Sequence, residues 1–101
     1  MNPFAPAGAP DTQITIVAEN RGFNDVRLFA VSSAGVRSVG VVEGNTQRRL
    51  TLAWRQMELL TFRIEVLAGR TFTTSPLSAS PGDRVEVIIP SNPAYTQVRL
   101  R

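Results

Sequence analysis

Alternation of apolar and polar residues is the feature that most constrains the fold of this chain. It begins at Gln13 and recurs at residues 49–54, 60–68 and 84–89. Successive side chains of a β-strand point to opposite faces, so a period of two predicts strands with one buried and one wet face. In the clearest segment, Leu50 and Trp54 point to the side opposite Arg49, and Trp54 is therefore predicted to lie in the core.

Turn signals divide the alternating segments into short strands. Gly, Asn and Pro recur between them, and Ser80-Pro-Gly-Asp83 has the composition of a type II turn. The predicted strands cover about residues 13–19, 26–32, 36–42, 49–55, 60–68, 70–75, 84–89 and 94–100. Seven to eight short strands at this spacing predict an all-β fold, an antiparallel immunoglobulin-like β-sandwich that forms one domain over residues 13–101.

Residues 1–12 have a different composition and are predicted to form an extended, Pro-rich N-terminal tail. Pro3, Pro6 and Pro10 favour a polyproline-like conformation that cannot donate a regular ladder of hydrogen bonds. Two interpretations stay open at this point. The tail is a linker or leader, or Phe4 anchors it on an apolar surface.

The chain contains no histidine, cysteine or lysine, so all 11 basic residues are arginine. The usual general base, thiolate nucleophile, Schiff-base amine and soft metal ligands are therefore missing. Asp25 and Asp83 both fall in turns, where capping is their expected role. We accordingly predict that the protein is not an enzyme and has no catalytic, cofactor-binding or metal-binding residues.

The net charge of +3 is a weak indication of an acidic partner. On alternation alone, five arginines are candidates to share one sheet face: Arg27, Arg48, Arg49, Arg55 and Arg63. Glu65 and Glu86 occupy comparable outward positions, so the field of such a face is mixed. Nucleic acid is therefore not the favoured partner, although a ligand-binding module for polysaccharide or nucleic acid is the alternative function.

The second and third predicted strands are apolar on both faces. If Leu28 faces the core, Phe29 and Val31 face outward, and the same alternation places Val42 outward on the next strand. A contiguous exposed apolar area on a small protein indicates an interface. The candidate interface residues are Phe4, Phe29, Val31 and Val42. The alternative is cover from within the chain, by the tail or by Met57 and Leu59.

Several phrases between residues 13 and 90 resemble small bacterial cell-envelope β-sandwich domains, many of which are the mature part of lipoproteins. These phrases are Val17-Ala-Glu-Asn20, Phe23-Asn-Asp-Val26, Arg37-Ser-Val-Gly-Val-Val42, Thr74-Ser-Pro-Leu77 and Ser80-Pro-Gly-Asp-Arg-Val85. The resemblance implies a periplasmic, outer-membrane-associated or extracellular location and a non-enzymatic role. The chain departs from the lipoprotein pattern because it has no cysteine to carry a lipid.

No apolar run approaches the roughly 18 residues that span a bilayer, and the N-terminus has no signal-peptide pattern. The expected function is that of a structural or interaction module of the envelope or extracellular space. It would act through protein–protein contacts, including self-assembly into an oligomer or filament.

Overall fold

The computed structural model describes residues 12–67 and 69–101, and these residues include nine strands and a short 3-10 turn before the last strand. The strands are β1 (Gln13–Asn20), β2 (Val26–Ser32), β3 (Gly35–Val42), β4 (Thr46–Ala53), β5 (Glu58–Val66), β6 (Thr71–Thr73), β7 (Leu77–Ala79), β8 (Arg84–Ile89) and β9 (Gln97–Leu100). The 3-10 turn covers Pro93–Tyr95. The predicted all-β fold is confirmed.

The strands form two sheets that pack on a common core. The four-stranded sheet has the order β4-β1-β8-β9, and the five-stranded sheet has the order β3-β2-β5-β6, with β7 also paired to β5. β1 and β8 run parallel, and every other pair of described strands is antiparallel. The expectation of a wholly antiparallel sandwich was therefore wrong in one pair.

A turn that docks on the start of β1 explains the parallel pair. The N–H of Gly82 donates to the carbonyl of Gln13 at 2.7 Å, and the N–H of Thr15 donates to the carbonyl of Asp83 at 3.0 Å. The Ser80–Asp83 turn thus lies beside the first residues of β1. β8 leaves this turn in the direction in which β1 runs.

The buried side chains follow the predicted alternation closely. Core residues come from both sheets and include Ile14 and Ile16 of β1, Phe62 of β5 and Val85 of β8. Trp54 is 1% exposed, and its indole N–H donates to the carbonyl of Ala79 at 2.8 Å. Full burial of a large apolar side chain contributes about 1.5–3 kcal/mol, so this inner layer supplies most of the drive to fold.

β6 and β7 pair with different parts of β5, so the described chain has one strand more than predicted. β6 pairs with the stretch around Ile64, and β7 pairs with the stretch around Leu59. Pro76 lies between β6 and β7, and its missing N–H prevents a continuous ladder there. The last strand also begins later than predicted, because the side chain of Asn92 caps the 3-10 turn that precedes it.

A β-bulge in β3 changes the faces of its last residues. Leu28 pairs with Gly40 and Phe29 pairs with Ser38, so Val39 has no direct partner on β2. Gly40 accommodates the bulge with a φ of 154°, and a Cβ atom at this position would lie 3.3 Å from the side chain of Leu50. Beyond the bulge Val42 is 0% exposed. The outward orientation predicted for Val42 was wrong, because one extra residue reverses the alternation.

Two arginines bridge the facing edges of β3 and β4. Arg37 of β3 donates to the carbonyl of Ala53 at 2.9 Å, and Arg48 of β4 donates to the carbonyl of Val41 at 2.6 Å. These contacts occupy edge carbonyls that would otherwise be open to pairing with another chain. Among residues 12–67 and 69–101, no helix has the length and apolar character needed to cross a bilayer.

Candidate functional site

The outer face of the five-stranded sheet carries a group of apolar side chains that we call the Phe29 face. It comprises Phe29 and Val31 of β2, Val36 of β3 and Leu59 of β5. Val31 pairs with Val36 on one side and with Thr61 on the other, and Leu59 lies two residues before Thr61 on the same face. The four side chains are therefore neighbours on one surface.

Phe29 and Val31 point outward as predicted and are half-buried. Val36 is 50% exposed and Leu59 is 61% exposed. The sequence prediction thus identified two members of the face correctly in orientation, misplaced Val42 and missed Val36. Phe4 lies outside the described residues.

Cover for Phe29 comes mainly from its own sheet. The guanidinium carbon of Arg63 lies 4.8 Å from the centroid of the Phe29 ring, and Arg63 contacts the carboxylate of Glu65 at 3.5 Å. Met57 is 68% exposed, and Leu59 adds to the apolar face rather than covering it. Cover from residues 12–67 and 69–101 is therefore partial, since it leaves Val36 and Leu59 in contact with solvent.

A second surface, which we call the Phe23 cleft, lies at one end of the sandwich. It is a cleft of about 480 Å³ between the β1–β2 loop, the start of β6 and the loop after β8. Its apolar lining includes Phe23, Val66, Phe72, Pro90 and Pro93, and Arg70 contributes a charge. Phe23 is 90% exposed at this cleft, which is unusual for a phenylalanine.

Hydrogen bonds that the side chains of Asn20 and Asp25 make with the backbone hold the loop that presents Phe23. Asn20 is 2% exposed, and its amide donates to the carbonyls of Asn24 at 2.8 Å and Val42 at 3.1 Å. The amide oxygen of Asn20 accepts from the N–H of Gly22 at 2.9 Å. A carboxylate oxygen of Asp25 accepts from the N–H of Gly44 at 3.0 Å. Phe23 is thus exposed on a loop whose ends are fixed.

The sequence indicated a turn at residues 23–25 but no role for Phe23. The signal that would have found it is a large aromatic residue inside a turn, where no alternating core position exists. Aromatic side chains contribute more apolar area than any other residues, so an aromatic residue in a turn must pack on the turn itself or remain available for a partner.

The arginines lie on different faces of the two sheets. They do not form the single group on one sheet face for which the alternation made them candidates. Arg27 and Arg63 lie on the outer face of the five-stranded sheet, and Arg49 lies on that of the four-stranded sheet. Arg48 reaches across to β3. The face of the four-stranded sheet also carries Arg84, Arg99 and Arg101, and the last two both contact Glu86, at 2.6 Å and 3.4 Å respectively.

At one end of the same face, a hydrogen bond from Arg21 to Glu19, together with the charge of Glu19, raises the pKa of Arg21. The pair is exposed and contributes little to stability.

Asp25 and Asp83 have the capping roles that their positions in turns predicted. A carboxylate oxygen of Asp83 accepts from the N–H of Ser80 at 2.8 Å, as one of Asp25 does from Gly44. Asp83 lies beside the start of β1 and Asp25 follows its far end, so the two carboxylates are separated by the length of the strand. Within the described ranges, no group of three His, Cys, Asp or Glu side chains is arranged to hold a metal ion.

Comparison with known proteins supports the fold but identifies no family. No family model and no curated protein matches the chain. A solved structure, described as the NMR structure of the protein from Eubacterium rectale, matches with a TM-score of 0.57 and 17% sequence identity. The match covers 95% of this chain and 93% of the other. At this identity the similarity establishes a shared fold alone.

Proposed function

We propose that this protein is a non-enzymatic interaction module that acts through apolar protein–protein contacts, including contacts between its own copies. The observation that carries the proposal is the Phe29 face, on which Val36 and Leu59 are at least half exposed beside Phe29 and Val31. A flat apolar sheet face packs well on a second one, because interdigitated side chains bury area on both. Burial contributes roughly 25 cal/mol per Å² of apolar surface.

Charges on the same sheet suit contact between identical copies. Arg63 and Glu65 lie next to Phe29 and next to each other, so each copy would present one positive and one negative group near the contact. A two-fold arrangement places such groups opposite their counterparts. The apolar centre would provide the stability, and the charged pair would favour one orientation.

We further propose an envelope or extracellular location and an immunoglobulin-like arrangement of the sandwich. The turn motifs quoted above support the first proposal. The immunoglobulin-like arrangement is supported by two packed sheets in which the chain passes several times from one sheet to the other.

Light scattering across a range of protein concentrations tests the interaction module. We expect the apparent mass of the native protein to rise with concentration, and Val36→Arg and Leu59→Arg each to lower it at a given concentration. Both side chains are exposed, so circular dichroism and thermal unfolding should be unchanged. Met57→Arg is the matched control, because Met57 is exposed to a similar extent but lies outside the Phe29 face. A native protein that is monomeric at about millimolar concentration, or an equal effect of Met57→Arg, would overturn the proposal.

A second candidate function is supported by the four-stranded sheet, whose outer face carries Arg49, Arg84, Arg99 and Arg101. Two acidic residues, Glu19 and Glu86, share that face, so its net charge is positive. A polyanion such as nucleic acid or an acidic polysaccharide would bind there through salt-sensitive contacts. The same light-scattering series, repeated in rising salt with and without added nucleic acid, separates the two functions, since polyanion binding weakens with salt and apolar association does not.

A further inference from the structure

We propose that the Phe23 cleft binds the N-terminal tail of a second copy of this chain, through Phe4 and the neighbouring prolines. This inference rests on the proposed self-association and names a second, distinct contact for it. Three observations support it: the lining of the cleft, the composition of residues 1–11, and the position of Gln13, where β1 begins.

The cleft has the composition that binds an extended Pro-rich segment. Such segments dock in grooves lined by aromatic side chains and prolines, because their conformation is already fixed and their carbonyls are free to accept hydrogen bonds. Phe23, Phe72, Pro90 and Pro93 provide the apolar surface. Arg70 and Asn92 also line the cleft and carry N–H donors suited to the carbonyls of such a segment.

The tail has the complementary composition. Residues 1–10 contain no charged side chain, three prolines and one aromatic residue, Phe4. Phe4 therefore offers a single apolar anchor for this cleft. The exposed ring of Phe23, which does not belong to the core, is available there to contact it.

The start of β1, to which the tail is joined, and the cleft lie at opposite ends of the sandwich. The tail leaves at Gln13, the first residue of β1, whereas Asn20, the last residue of β1, lines the cleft. A strand of 8 residues spans about 26 Å. Phe4 precedes Gln13 by nine residues, which cover about 28 Å in a polyproline conformation.

Distance therefore favours a neighbour over the same molecule. To reach its own cleft, the tail would have to reverse direction at Gln13 and then run the whole length of β1, and its reach leaves almost nothing for the reversal. A tail that continues away from Gln13 meets no such limit when it enters the cleft of the next copy. Contacts of this head-to-tail kind are heterologous and propagate into a filament or a closed ring.

Complementation between two full-length variants tests the inference. Phe4→Ser removes the anchor and keeps the cleft, while Phe23→Ser removes part of the cleft and keeps the tail. Both are placed in a Val36→Arg background, which weakens the Phe29 face. We expect each variant alone to be monomeric by light scattering, and an equimolar mixture to give the doubled mass of a two-chain complex. Circular dichroism of each variant first verifies its fold.

A labelled peptide of residues 1–12 provides a second measurement. We expect it to bind the full-length Phe4→Ser protein, and to bind roughly tenfold more weakly when Phe23→Ser is added. Phe29→Ser is the control and should leave the affinity for the peptide unchanged. No binding at millimolar concentration, or a mixture that stays monomeric, would overturn the inference.

The outcomes also separate this inference from the proposed function. Loss of association with Val36→Arg but not with Phe4→Ser or Phe23→Ser would leave the Phe29 face as the interface and overturn the tail contact. The native protein could instead be monomeric while Phe23→Ser frees the tail from the cleft of the same molecule. Each tail would then bind its own cleft, which contradicts the contact between copies.

Discussion

Gly44 packs directly against the backbone carbonyl of Phe23, so closely that a Cβ atom at position 44 would overlap the carbonyl oxygen. The N–H of Gly44 donates to Asp25, and the N–H of Asn45 donates to the carbonyl of Gly22 at 2.9 Å. The β3–β4 loop thus supports the loop that presents Phe23. A glycine far from Phe23 in sequence sets the position of this exposed aromatic residue.

Gly44→Ala should therefore destabilise the fold by about 1–3 kcal/mol, because the backbone of one loop must move away from the other. Chemical denaturation measures the change. Gly22→Ala is the matched control in the same group of loops, since its Cβ would meet Asn20 at 3.4 Å, an ordinary contact distance. Equal stability of the two variants would contradict the close contact between Gly44 and Phe23.

Asn20→Asp should destabilise the protein by about 2–4 kcal/mol at neutral pH, although the side chain keeps its size. The amide of Asn20 donates to two backbone carbonyls, and a carboxylate would place a negative oxygen against both. Urea denaturation at several pH values measures the loss.

The sign of the pH dependence distinguishes this reason from simple loss of packing. Burial beside carbonyl oxygens favours the neutral carboxylic acid, which keeps one donor, so the folded form of this variant binds its proton more tightly than the unfolded form. The stability of Asn20→Asp relative to the native protein should therefore recover as pH falls from 7 to about 4. A difference that does not vary with pH would show that the two hydrogen bonds contribute little.

Val42→Arg and Phe29→Arg should have opposite effects on folding. Val42 is fully buried beyond the bulge, so a charge there lacks both water and a partner and should prevent folding. Phe29 is half-buried on the outer face, and Phe29→Arg should keep the fold while weakening association. Circular dichroism and light scattering on the two variants compare them. A folded Val42→Arg protein would show that β3 has no bulge in solution.

Much of the fold follows from residues that are close together in the sequence. Alternation around Leu50, Phe62 and Val85 placed the core side chains correctly, because the faces of a strand are set by the backbone within that strand. The outward orientation of Phe29 followed for the same reason. Pro81 and Gly82 likewise identified the turn before β8.

The bulge at Val39, and the side-chain orientations that depend on it, could not be predicted from alternation along the sequence. Alternation assumes that each residue has one partner, and β3 departs from it only because Gly40 pairs with Leu28 while Ser38 pairs with Phe29. The error for Val42 arose there. Phe23 was missed for a related reason, since its exposure depends on loops that meet from different strands.

By itself, the sequence determined that this chain forms a strand-rich core without histidine, cysteine or lysine, since composition and a period of two are properties of neighbouring residues. Only the tertiary structure decided that β1 and β8 run parallel, that Val42 is buried and that Phe23 stands at a cleft. Those outcomes depend on contacts between segments far apart in the chain, such as Gln13 with Gly82 and Phe23 with Gly44, whose energies no local pattern encodes.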